Sequence, residues 1–165
     1  MGSSARKSSL SLLGLATAVA LLVTAPLALA VTTIDEYKDA VEPICKRNSE
    51  TSTSILKGVK TQVQQEKLVP AGKRFIRAAT ALGKAVTQIA AVEKPSEDAV
   101  KLDKWIGYLR EQKTFLQKIG QALKAGNKVK AQQSAVKLNK ANKRANDTII
   151  SFGFNHCRID SSKFL

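Results

Sequence analysis

His156 is the only histidine in this 165-residue chain, and it stands beside Cys157, one of only two cysteines. A thiol next to an imidazole is the raw material of nucleophilic catalysis or metal binding. The surroundings supply neither. The other cysteine, Cys45, lies far away in the chain, there is no Cys-x-x-Cys-His site for covalent haem, and a zinc ion would need His or Cys ligands that do not exist. The only methionine is Met1, which removes a Met axial ligand from a processed chain. No metal and no cofactor are expected, and His156 reads as a loop residue.

Carboxylates offer no better start. Asp103 and Glu111 are eight residues apart and so fall on roughly one side of a helix, but acid–base work needs a cleft that raises a carboxyl pKa. Nothing in the pattern makes one. Gly120 and Gly126 are isolated, so no glycine-rich phosphate loop is present. The chain carries no visible catalytic constellation and reads as a non-enzyme.

Two other groups of residues have chemical potential. Gln112 and Asn142 occupy positions where an apolar residue is expected, and they suit either a buried hydrogen bond that fixes register or a pocket for a small apolar ligand. Trp105, Tyr108 and Tyr37 are the aromatics that would line such a pocket. Secondly, no acidic residue falls between Glu111 and Asp147, while nine Lys and Arg do. Lys130, Lys137 and Arg144 recur every seven residues, so they stack on one helical stripe with Lys140 beside them. Such a line of cations suits an anionic cell-envelope polymer or membrane surface. Few aromatics interleave with it, so specific nucleic-acid recognition is not indicated. A plain solvated face is the competing reading.

The elements that must position these residues are helical. Four amphipathic segments follow Val31. The first spans about Ile34 to Gln65, with Asp35, Glu36 and Asp39 near its start and Pro43 inside it, where a kink or the true helix start is expected. Its stripe is Ile34, Tyr37, Val41, Ile44, Ile55, Val59 and Val63, weakened by the polar stretch Asn48 to Ser54. The second spans about Pro70 to Val92, with Phe75, Ala79, Leu82, Val86 and Ile89 spaced 4, 3, 4, 3. Lys94-Pro95 ends it, and Ser96 before Glu97 and Asp98 is the expected cap of the third.

That third segment has the clearest seam: Leu102, Trp105, Leu109, Gln112, Leu116, Ile119 and Leu123. Gly126 stops it and Asn127 caps the fourth, which runs to about Phe152 with the seam Ala131, Ala135, Leu138, Asn142, Ala145, Ile149 and Phe152. Gly153 ends it and lets Phe154 to Cys157 fold back. Short connections between long helices imply an all-α, up-down-up-down four-helix bundle. An even number of antiparallel helices returns the chain to its starting end, so Cys45 and Cys157 can meet and close the bundle with one disulfide.

Location bears on that bond. Arg6 and Lys7 precede an apolar run from Leu10 to about Ala25, then Pro26 and Ala28-Leu29-Ala30. This is the order of a signal peptide spanning residues 1–30, cleaved after Ala30, and it predicts a secreted or cell-envelope protein. A retained anchor is the alternative, since Leu10 to Ala30 is nearly long enough to span a bilayer; Pro26 and the Ala-x-Ala site favour cleavage. Residues 31–165 then form one domain with 25 basic and 13 acidic residues, a formal charge of +12.

The two ends of the chain resemble a group of small exported proteins and lipoproteins of actinobacteria. The likeness lies in Tyr37…Pro43-Ile44-Cys45-Lys46 and in Phe152-Gly153-Phe154-Asn155-His156-Cys157, with Trp105 in the third helix and Gly126-Asn127 before the last. It extends over most of residues 35–160 and implies export and pairing of the two cysteines, but no activity. Val31 stands where the lipoprotein members carry their lipidated cysteine.

Overall fold

The computed structural model describes residues 33–159. The expected leader and its cleavage point after Ala30 lie outside the described residues. Thr33 starts α1 (Ile34–Leu56) with a reciprocal cap: its hydroxyl accepts from the Glu36 amide at 3.3 Å, and the Glu36 carboxylate accepts from the Thr33 amide at 3.1 Å. Helix α1 runs through Pro43, so Pro43 is not its true start. Both Pro43 and Asp39, whose carbonyl loses its donor there, are exposed, so water can replace the missing bond.

The first segment is not one helix. It breaks at Lys57-Gly58 and resumes as α2 (Val59–Gln64). Gly58 adopts φ 75°, a left-handed conformation that costs glycine least. The carbonyls freed at the break are taken up from outside the helix, where the Arg74 guanidinium donates to Ile55 O at 3.4 Å and to Lys57 O at 2.5 Å.

Helix α3 (Leu68–Ala91) carries Pro70 in its first turn, where no donor is required. Helix α4 (Ala99–Lys124) begins later than Ser96 suggested. The Asp98 amide donates to Pro95 O at 3.1 Å, closing a turn that uses Ser96 and Glu97, and Asp98 becomes the cap residue. At the far end Gly126 is left-handed, with Gly126 N–H donating to Leu123 O and Asn127 N–H to Ala122 O. This double bond pattern terminates a helix cleanly. Asn127 then caps α5 (Lys128–Ile149), its side chain accepting from the Lys130 amide at 2.9 Å. A 3-10 turn (Ile150–Phe152) and left-handed Gly153 redirect the tail back over the bundle.

Counting α1 and α2 as one arm, the result is an all-α four-helix bundle. Helix α1 packs on α3, α3 on α4 and α4 on α5, whereas α1 and α5 make no comparably extensive contact. Cys45 and Cys157 are bonded, with alpha carbons 4.9 Å apart. Helices α3 and α4 approach closely where Gly72 and Gly120 face each other without side chains between them. No helix among the described residues is long and apolar enough to cross a membrane.

Buried apolar residues form two clusters. One, at the disulfide end, contains Tyr37, Val41, Trp105, Ile149 and Phe154. The other, at the α2 end, contains Leu56, Phe75, Ile119, Leu123 and Leu138. Tyr37 is wholly buried with an unpartnered hydroxyl. Burial, reinforced by the Asp103 carboxylate, raises its phenol above the ordinary value of 10.0. The unfolded phenol therefore ionises near pH 10 while the folded one keeps its proton, so the stabilisation is full below pH 10 and declines as pH rises above it. Tyr37→Phe leaves no orphaned partner and should remove that decline. The gap in melting temperature, variant minus wild type, should widen in the variant's favour between pH 8 and pH 11.

Candidate functional site

A hollow lined by residues of both apolar clusters and by several polar side chains lies between them. Its volume is about 150 Å³. Four elements and the tail build it. Helix α4 supplies Trp105 and Gln112, α5 supplies Leu138 and Asn142, and α3 supplies Phe75 and Leu82. The tail closes one end with His156, Arg158 and Ile159, and the disulfide forms part of the wall.

Helix α1 contributes a face that periodicity alone did not reveal. Cys45, Asn48, Ser49, Ser52, Thr53 and Leu56 all line the hollow. They recur at intervals of three and one, the spacing of a single helical face. The polar stretch Asn48 to Ser54, which weakens an apolar stripe, is in register with Cys45 and Leu56 and therefore faces inward. Ser49 and Thr53 are also exposed, so the mouth lies on the α1 side, where α1 and α5 fail to close.

Gln112 and Asn142 are 1% and 4% exposed, and neither side-chain amide has a hydrogen-bond partner among the described residues. The same holds for Asn48 Oδ1 and Trp105 Nε1. A mutual Gln112–Asn142 bond, the register reading, is thus absent. The pairing of heights is present, since both residues reach one cavity. Trp105 is fully buried and stacks on Phe154 at 5.5 Å between ring centroids. Tyr108 does not line the cavity: it lies between α4 and α5 under the Arg144 guanidinium, 4.7 Å from its ring centre. Tyr37 belongs to the neighbouring apolar cluster instead.

The tail is held by two side chains besides the disulfide. The Glu42 carboxylate accepts from the Asn155 amide and, at 2.8 Å, from the His156 amide. Asn146 accepts from Ile159 N–H at 3.0 Å and donates to Ile159 O at 2.9 Å. His156 is exposed, and its backbone rather than its ring makes the Glu42 contact. The two carboxylates of α4 each have a cation: Asp103 pairs with Lys94 at 3.2 Å and Glu111 with Arg144 at 2.5 Å.

That last pair changes the basic stripe. Lys130, Lys137, Lys140 and Arg144 are all exposed on α5, but Arg144 is engaged by Glu111 and Tyr108. Lys130, Lys137 and Lys140 form no ion pair among the described residues. A second, larger hollow of about 590 Å³ lies between α2 and the start of α5, floored by Phe75, Ala131 and Ala135. The small residues of the α5 seam thus leave a groove there and do not draw α2 in. Among the described residues no group of three His, Cys, Asp or Glu could hold a metal ion.

The arrangement can enclose a molecule and offer it amide, hydroxyl and indole groups for hydrogen bonding. Comparison with protein-family models, with curated proteins and with solved structures found no match in any of the three.

Proposed function

We propose that this chain is an exported, non-enzymatic carrier that holds a small ligand between its helices. The observation behind this reading is the pair of buried, unpartnered amides at Gln112 and Asn142 on the wall of an internal cavity. A buried polar group without a partner costs about 1–3 kcal/mol, so leucine at either position would give a more stable empty bundle. A ligand that bonds to the amides recovers that loss, which is what a binding site built for occupancy requires. Export is supported by the leader-like residues 1–30 and by the disulfide, which persists in oxidising compartments.

A second reading has its own observation: Lys130, Lys137 and Lys140 offer an exposed, unneutralised row of cations to an anionic polymer or membrane surface. Native, non-reducing mass spectrometry on protein recovered from its host's culture and envelope fractions separates the two. A small-molecule adduct that disappears on unfolding is the expected result. The mass of residues 31–165 less two hydrogens, bare in every fraction, would remove the carrier reading and leave the basic face.

A further inference from the structure

The cavity wall restricts the chemistry of what it holds. Six unpartnered polar atoms belong to residues that line it: the oxygens of Asn48, Gln112 and Asn142, and the nitrogens of Gln112, Asn142 and Trp105. Acceptors and donors are thus present in equal number. No carboxylate lines the cavity, and its one formally cationic lining residue, Arg158, is an exposed tail residue.

A carboxylate ligand would satisfy the N–H groups but press its charge against three carbonyl oxygens. An ammonium would do the reverse. A hydrocarbon would leave all six atoms unmet, and unmet polar groups are how hydrogen-bonding sites reject such analogues. An uncharged group with a donor and an acceptor side by side meets both needs at once. The cis-amide edge of a lactam or cyclic imide is that group, and a side-chain amide is its natural two-point partner. The rest of a ring would rest on Phe75, Leu82, Leu109 and Leu138. A volume of about 150 Å³ is the size of cavity known to take a benzene molecule, which fits one ring rather than an extended chain.

We infer that the cavity is a site for an uncharged, single-ring molecule bearing a cis-amide edge, gripped by Gln112 and Asn142. This inference rests on the carrier reading. Trp105, the only tryptophan in the chain, lines the cavity and is its own reporter.

The test is a fluorescence titration of the oxidised protein with four transparent six-membered rings: δ-valerolactam, cyclohexane, cyclohexanecarboxylate and cyclohexylammonium. The lactam should shift Trp105 emission saturably and bind at least tenfold tighter than the other three. In the Gln112→Leu, Asn142→Leu double variant, lactam affinity should fall at least tenfold and cyclohexane should become the better ligand. Cyclohexane or a charged ring binding the wild type as well as the lactam does would overturn the amide-edge assignment and leave the carrier reading in place. Binding of none of the four, to either protein, would overturn both. The wild-type comparison decides the matter even where the double variant does not fold.

Discussion

Cys157→Ser should shift the urea unfolding midpoint down by an amount equivalent to roughly 4–5 kcal/mol at most, the chain-entropy value for a loop of this length. The bond joins residues 112 apart in sequence, so its removal frees nearly the whole domain in the unfolded state. Domains of this size commonly have only about 5–15 kcal/mol to lose. The folded variant should nevertheless keep its tail in place, because Glu42 still accepts two consecutive amides and Phe154 still stacks on Trp105. The expected signature is therefore a large fall in midpoint with native Trp105 emission before the transition. Thiol reagents should react with Cys45 in the variant and not in the oxidised wild type. A midpoint equal to that of the oxidised wild type would contradict the stabilising role given to this bond.

The second large effect lies where α3 and α4 meet. A β-carbon added at Gly120 would sit 2.6 Å from the carbonyl oxygen of Gly72 and 2.6 Å from Ile76 Cγ1. One added at Gly72 would sit 2.5 Å from Gly120 O. The obstacles are mainly backbone, so no rotamer change relieves them, and the helices must separate. Separation loosens the α3–α4 contact along its length. Gly120→Ala should cost about 2 kcal/mol or more, even after the gain in helix propensity. Gly107 provides the control: it lies in the same helix, with nothing within 4 Å of an added β-carbon. Gly107→Ala should gain up to about 1 kcal/mol. Melting temperatures of the two variants should therefore move in opposite directions. Equal shifts would mean that the glycines do not set the α3–α4 distance.

These two sites also mark where sequence reasoning reached and where it stopped. The disulfide was legible because it follows from helix number and chain direction, which local patterns supply. The seams of α3, α4 and α5 were legible for the same reason, as was the end of α4 at Gly126. The break at Gly58 was not. Ile55, Val59 and Val63 keep their four-residue step across it, so the stripe conceals a turn that Arg74, nearly twenty residues on, stabilises from another helix. The start of α4 was misplaced because Pro95 directs the Asp98 amide into a turn, overriding the capping preference of Ser96.

The candidate site was legible in part. Trp105, Gln112 and Asn142 stand together as their seam positions required. Tyr108 shares their helix but sits on the flank that meets α5, under Arg144, and the ion pair that takes Arg144 out of the cationic row depends on a residue from another helix. The α1 wall was hidden by its composition. A face of Asn, Ser and Thr looks like solvent exposure unless the hollow opposite it is already known.

The bond at Cys45 and the Glu42 clamp fasten the first helical arm to the tail at one end only. At the other end, past the break at Gly58, α2 rests on α3 and stands off from α5 across the larger groove. Phe75 lines both hollows and is the partition between them. A smaller side chain at that position would join the two hollows into one slot along the same seam.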